Sequence, residues 1–456
     1  MFMILALTAC SAPSGTAASR TPSTEAVPVP TWTASPGPDG ARFPTRVSDE
    51  GTYFIDQAGE PWFGRGDTAW SLIGQLGPED VDRYLDDRAA RGFNLVLTNV
   101  LEHYFSDNAP NNYHDDPPFT GEAFSSAPNE AYWRHVDYVV EAARLRGITL
   151  LLCPAYLGFD ADEGWSEEVA AATDDDLAAF GAFLGDRYGE FPNIMWLIGH
   201  DRVPDDPEKA RMEALAAELP ADDLLGVGAT RDDVLGSPPW SPTAISPDFE
   251  TVYSFGDTPV ADTARTWDMS PALPVMFLEG QYEQEHGAQP GDALLRQQEY
   301  GALAAGAAAV LFGNNPIWHF ESVPLYDFEG SWRENLASLG SGDAQRLGEL
   351  VRALPWWEMA PDKTADLLVD ADSGANLAAR FSRSHALVYV PAEQSVRLNL
   401  ERLTAAERVD LRRFDPRSGD LELVDTYPTE GVVTVEPPGP NAAGDDDWVY
   451  VLAPAG

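Results

Sequence analysis

The chain has 456 residues, 44 % of them hydrophobic, with 74 acidic side chains against 29 basic ones and a formal charge of −45. That length suits roughly two or three domains, and that charge excludes nucleic acid as a partner held by an electrostatic footprint. The two cysteines, Cys10 and Cys153, exclude a disulfide framework.

In chain order, residues 1–10 (MFMILALTAC) are an apolar run too short to span a bilayer. They end Leu7-Thr8-Ala9-Cys10, which resembles a bacterial lipoprotein signal in which Cys10 becomes the lipidated N-terminus, although no basic residue precedes the run. The expectation is an exported protein, either a lipoprotein on the extracellular face of the cell membrane or a secreted one, with the membrane as partner only through a lipid anchor. Residues 11–43 are rich in Ser, Thr, Pro, Ala and Gly and read as a disordered tether. Lys209 and Lys363 are the only lysines, a bias that genome composition or adaptation to salt would each produce.

From residue 44 the pattern alternates. Strands are expected at 62–66, 94–100, 148–153, 193–198, 223–228, 251–255 (the weakest), 274–278 and 308–312. Helices are expected at 78–91, 129–146, 173–188, 206–218, 291–306 and 332–353. The first of these opens with Pro78, carries acids in its first turn and stops before Gly92. Eight strands alternating with helices imply an α/β fold with a parallel sheet. They fit a closed (β/α)8 TIM barrel over 44–357 better than the alternative, an open doubly wound sheet. Residues 358–456 change to short alternating runs (VRLNL, GVVTVEPP, DWVYVLAP) and are expected to form a small β-sandwich.

A barrel of this kind places its chemistry at the C-terminal ends of its strands. There the sequence puts Asp67 and Trp70 after strand one, His103 and Tyr104 after strand two, and Tyr156 after strand three. His200, Asp201 and Arg202 follow strand four, Glu279 and Tyr282 follow strand seven, and Trp318 and His319 follow strand eight. Hydrolysis of a glycosidic bond needs two carboxyl groups across one cleft, one protonated and one ionised. Asp201 and Glu279 sit on strands that face each other across the mouth. Each has a plainer reading: Asp201 as a helix cap or the partner of Arg202, Glu279 as a loop carboxylate, Asp67 as a cap, and the histidines as structural hydrogen bonders. No HExxH or CxxC spacing suggests a metal, and no GxSxG, GxGxxG or P-loop stretch suggests a serine nucleophile or a nucleotide, so neither metal nor cofactor is expected.

Four stretches carry a resemblance: FGRGDTAW (63–70), YLDDRAARGFN (84–94), NIMWLIGHDR (193–202) and PVMFLEGQYE (274–283). Through them the chain resembles the apiosidase-like glycoside hydrolases (glycoside hydrolase family 140 and relatives). The tail, with WWEMAPD, DPRSG and DWVYVLAP, resembles the collagen-binding-type β-domain often fused to them. The resemblance implies Asp201 as catalytic acid/base, Glu279 as the second catalytic carboxylate, and Asp67, Trp70 and Tyr282 as residues shaping the sugar pocket. His200 stands where the family pattern has a second Gly, and Gly280 where it has Pro.

The reading is therefore an exported O-glycosidase acting on a plant cell-wall or other complex oligo- or polysaccharide by a retaining two-carboxylate mechanism, with Arg202 turned away from Asp201. A carboxyl separation of about 6.5–9.5 Å would instead favour inversion. His103, Tyr104, Tyr156, His200, Trp240 and Trp318 complete the candidate substrate-binding set. The alternative from another class is a cell-surface protein that binds glycan without cleaving it. Convergence of Asp201 and Glu279 on one cleft discriminates the two.

Overall fold

A computed structural model describes residues 40–228, 242, 244–256, 258–269, 272–323, 325–369 and 377–455. Cys10, most of the expected tether and Trp240 lie outside the described residues.

Eight parallel strands form one sheet: β1 (Gly64–Thr68), β2 (Leu95–Asn99), β3 (Thr149–Cys153), β4 (Ile194–Ile198), β5 (Leu224–Val227), β6 (Glu250–Tyr253), β7 (Val275–Glu279) and β8 (Ala309–Phe312). Neighbours in sequence pair in parallel, and β8 returns to β1 with Ala309 opposite Gly64 and Phe312 opposite Asp67. The seam between β5 and β6 is closed by a single parallel bridge, Gly226 to Phe249. An open doubly wound sheet has two free edges; here the edges meet, and the fold is the expected TIM barrel. Alternation in the strands separates two cores. Leu95, Leu97, Leu151, Met195 and Leu197 pack together in one, and Val96, Leu150, Leu152, Trp196 and Ile198 join the helices in the other.

The longer helices are α1 (Pro78–Ala90), α2 (Glu130–Arg144), α3 (Asp174–Tyr188), α4 (Asp206–Ala216), α5 (Pro259–Trp267), α6 (Ala293–Ala304) and α7 (Leu339–Arg352). Their starts are written locally. Asn129 accepts from Ala131 N, and Thr173 and Asp205 open capping boxes with Asp176 and Glu208.

Two boundaries differ from expectation. The first strand was expected at 62–66, but Pro61–Trp62 belongs to a three-stranded antiparallel sheet with Pro44–Val47 and Phe54–Asp56. That small sheet sits below the barrel, with the ring edge of Phe54 on Phe249. Strand β1 therefore runs two residues further, and Asp67 and Thr68 lie inside it. The helix expected at 332–353 is two pieces, Trp332–Asn335 and α7. Ser331 and Ser338 each cap one piece, and the Glu283 carboxylate accepts from Ser338 Oγ and Gly340 N at the break. Helix α5 was not anticipated.

Residues from Ala360 on form a six-stranded antiparallel sheet and a two-stranded one (Val396–Asn399 with Val432–Val435) around their own core, a β-sandwich. It is fastened to the barrel. Arg296 on α6 donates to Asp447 at 2.8 and 2.9 Å and to Asp445 at 2.6 Å. Fully buried Arg380 donates to the carbonyls of Leu303, Ala307, Trp356 and Met359. Tyr300 and Tyr389 stack at 5.5 Å.

Candidate active site

Strand β4 is the wholly buried run IMWLI. The chain then turns through Gly199 (φ 67°), His200 and Asp201 (φ 66°). Left-handed backbone is free to Gly and tolerated by Asp better than by most side chains. The turn is pinned from behind: a Cβ at Gly228 would come within 2.2 Å of Gly199 O. Across this turn the His200 ring is fully buried, while the Asp201 carboxylate is 13 % exposed and lines a cavity at the strand ends.

Glu279 is the last residue of β7, and its carboxylate is 12 % exposed. Its turn is set by Gln298 of α6, which accepts from Gln281 N at 2.8 Å and donates to Gln281 O at 2.7 Å. Gly280 fits there because a Cβ would come within 2.6 Å of Gln298 Oε1. The same packing bears on why Gly stands where the family pattern has Pro.

The two carboxylates and His200 converge. A ring nitrogen of His200 and one oxygen each of Asp201 and Glu279 all lie within 4.8 Å of one another. His200 Nε2 is 2.6 Å from Glu279 Oε2 and 4.0 Å from Asp201 Oδ1. Tyr156 donates its hydroxyl to Asp201 Oδ2 at 2.5 Å. Trp70 stacks on His200 at 4.9 Å and donates Nε1–H to the Tyr282 hydroxyl at 3.0 Å. Arg202 turns away, as expected: it reaches Ser166 Oγ and, at 3.1 Å, Glu208. Among the described residues this trio is the one group of His, Cys, Asp and Glu side chains close enough together to hold a metal ion, and its Nε2 is committed to Glu279.

Burial pushes the Glu279 carboxyl above the usual carboxylate range, while the hydrogen bond and charge of His200 pull it back. For His200 burial works downward, but the charge of Asp201 and the bond to Glu279 outweigh it, and the imidazole is raised. The two groups titrate as a pair that shares a proton in its hydrogen bond.

These groups open into a cavity of about 760 Å3, a size that suits a sugar-sized ligand. Its apolar walls include Trp70, Phe105, Tyr156, Tyr253, Tyr282 and Trp318. Carboxyl groups of Asp160, Glu163, Asp201, Glu279 and Glu285 also face it. Glu285 accepts from Trp318 Nε1 at 2.7 Å, and burial pushes it up to about 8, with the charge of Glu279 adding to the rise. Among the described residues, the buried Oδ1 atoms of Asp201 and Asn99 have no hydrogen-bond partner.

Of the residues singled out from sequence, Trp70, Tyr156, Asp201, Glu279, Tyr282 and Trp318 line this cavity. His200 lies directly beneath. Three do not reach it. Asp67 was expected in the sugar pocket but is completely buried in β1, accepting from Arg88 at 3.2 Å and Tyr84 at 2.8 Å on α1. His103 pairs with Glu168 at 3.2 Å and packs edge-on to Trp165. Tyr104 is 43 % exposed with its ring against Phe105. His319 takes its structural reading, bonded to Asn315 at 3.2 Å, with burial pushing it down to about 4. Asn99, Tyr253 and Glu285 were missed. Position at a strand end could have found Asn99 and Tyr253; nothing local marks Glu285.

The family model described as "Apiosidase-like, catalytic domain" matches residues 48–358, and one described as "Putative collagen-binding domain of a collagenase" matches residues 361–453. No curated protein matches by sequence. A solved glycoside hydrolase superposes with a TM-score of 0.76 at 21 % identity, over 91 % of this chain and 97 % of its own. A structure from Bacteroides vulgatus, described as a glycoside hydrolase of family 5, gives 0.78 at 21 % identity, over 91 % and 94 %. At that identity the two structures bear on fold alone.

Proposed function

The chain belongs to the apiosidase-like family of glycoside hydrolases, and on that premise we propose that it is an exported, retaining O-glycosidase acting on a plant cell-wall or other complex glycan. Asp201, protonated, donates its proton to the leaving oxygen as that bond breaks. Glu279, ionised beside His200, attacks C1 and forms a covalent glycosyl-enzyme. Asp201 then takes a proton from water, the water oxygen bonds to C1, and Glu279 leaves.

The observation that carries this reading is the convergence of two carboxylates, each only about an eighth exposed, to within 4.8 Å at the ends of β4 and β7. Retaining enzymes hold their carboxyl groups about 5–5.5 Å apart, whereas inverting ones leave room for a water between them. Tyr156 aims Asp201, and the aromatic walls offer faces for a sugar ring. Export rests on the Leu7–Cys10 sequence, and attachment at Cys10 is the corresponding proposal for location.

The test is a screen of aryl glycosides and plant polysaccharides with the wild type, Asp201→Asn and Glu279→Gln, following the anomer first released by NMR. Retention is expected, with each variant slowed about a hundredfold or more. Activity surviving in both variants, or an inverted first product, rejects the assignment.

A further inference from the structure

Glu279 stands where the sheet is giving up its hold on β7. On the β8 side the last pair is Phe277 with Val310. On the β6 side the register slips between Phe277 and Glu279, so two steps along β7 answer one along β6. Such a slip re-aims the side chain beside it. Beyond it Ser254 N donates to Glu279 O at 3.0 Å. The next residue is Gly280, and glycine is the residue type whose backbone restrains itself least.

A side chain takes over where the ladder thins. Gln298 on α6, 3 % exposed, meets the backbone of Gln281 with both halves of its amide, as a neighbouring strand would. Its Oε1 accepts from Gln281 N at 2.8 Å and its Nε2 donates to Gln281 O at 2.7 Å. Gln298 itself stands on a fixed base. The adjoining Glu299 accepts from Arg65 of β1 at 2.9 and 3.1 Å, with both side chains buried. The glycine belongs to the same device. A Cβ at residue 280 would come within 2.6 Å of Gln298 Oε1 and 2.8 Å of Phe277 Cζ, so a side chain there presses the amide off the backbone it holds.

We propose that Gln298 is the positioning residue for Glu279. It stands in for the missing strand pairing and keeps the carboxylate on the line of attack, and Gly280 is the space it needs. The inference rests on the glycosidase reading for Glu279 being the attacking group.

The test uses the full chain with Gln298→Met, which keeps the volume and loses both bonds, Gly280→Ala, which keeps the amide and crowds it, and the double variant. On an aryl glycoside that the wild type cleaves, each single change is expected to lower kcat about ten- to a hundredfold. KM stays within about threefold, because neither residue lines the cavity. The double variant is no worse than the poorer single one, since both break one contact. In a crystal structure of Gln298→Met the His200 Nε2 to Glu279 Oε2 distance, 2.6 Å in the wild type, opens beyond about 3.2 Å. Gly280→Ala carries the same readouts if Gln298→Met does not fold. Packing alone would be satisfied by Met and would move the melting temperature and not kcat. A kcat in Gln298→Met within about threefold of wild type, losses that multiply in the double variant, or Glu279 still seated on His200 overturns the proposal. If the wild type cleaves no glycoside, the catalytic assignment falls, and the crystal structure alone decides whether Gln298 holds Glu279.

Discussion

His200 Nε2 and Glu279 Oε2 are joined at 2.6 Å between strands β4 and β7, which are not neighbours in the barrel. The bond ties the turn that carries Asp201 to the strand that carries Glu279. It also sets the charge of Glu279, since burial pushes that carboxyl up and His200 is the largest influence pulling it down. In His200→Gln the counter-pull is lost, so Glu279 ionises at higher pH. The acidic limb of the kcat/KM profile should then move up by about one pH unit, the equivalent of about 1.4 kcal/mol between protonation states. A pH–rate series on wild type and variant checks this, and an unmoved limb would show that His200 only fills space.

Asp67 carries a prediction of a different kind. Its carboxylate and Arg88 are both fully buried and face each other at 3.2 Å. Removing one partner of such a pair leaves a charge stranded, at a cost of about 3–5 kcal/mol. Arg88→Met should therefore lower the melting temperature sharply, and Asp67→Asn in the same chain should restore part of it. Asp67→Asn alone should leave KM for any cleaved substrate within about twofold, because the residue does not touch the cavity. A large rise in KM without loss of stability would put Asp67 back in the sugar pocket.

That residue also marks how far the sequence could be read. Apolar runs, capping residues and strand spacing are local properties, and they located all eight barrel strands to within a few residues. The pairing of Asp67 is not local, but half of it was visible: Tyr84 and Arg88 are spaced i,i+4 and so share one face of α1. A charged group on a face that otherwise packs inward asks for a buried partner. Glu285 gave no such hint. It stands six residues past Glu279 in a polar stretch, and only the fold brings it under Trp318. His200 could be placed at a strand end, yet its position beneath the carboxylates depends on two left-handed residues that sequence does not announce.

Glu285 also links the cavity to stability. Its carboxyl is pushed up to about 8 in the folded chain, so above the ordinary carboxyl range it holds a proton there that the unfolded chain has released. Where the folded state binds more protons, stability falls as pH rises. Glu285 therefore contributes stability that is fully present at acid pH and is lost between the ordinary carboxyl range and about pH 8. Glu285→Gln cannot titrate. Thermal unfolding of both proteins from pH 5 to 8.5 should show the wild type falling more steeply, with the difference bounded by about 1.4 kcal/mol per pH unit. Comparing the two cancels the self-repulsion of the −45 chain, which acts on both. Parallel curves would mean that Glu285 is ionised throughout.

The β-sandwich should unfold with the barrel. Its Arg380 is completely enclosed, and the four carbonyls it reaches belong to α6, the residues just after it, and the connection at Trp356 and Met359. Its neighbours Leu387, Tyr389, Val449 and Val451 share one apolar cluster with Tyr300, Leu303 and Val310 of the barrel. A module docked this way completes a core, because removing it bares the outer face of α6 and takes the Arg380 donors from those carbonyls, of which Leu303 and Trp356 keep a backbone donor in Gly306 N and Met359 N. Calorimetry of the full chain should therefore give one cooperative transition for both domains. Arg380→Ala takes a donor from four buried acceptors, two of which keep a backbone donor, and should lower that transition by several degrees while keeping it single, since a buried acceptor left unmet costs about 1–3 kcal/mol. A chain ending at Glu358 should be insoluble or molten. Two separate transitions, or a soluble barrel with native near-UV dichroism after truncation, would instead make the sandwich an independent appendage, free to serve as a binding module of its own.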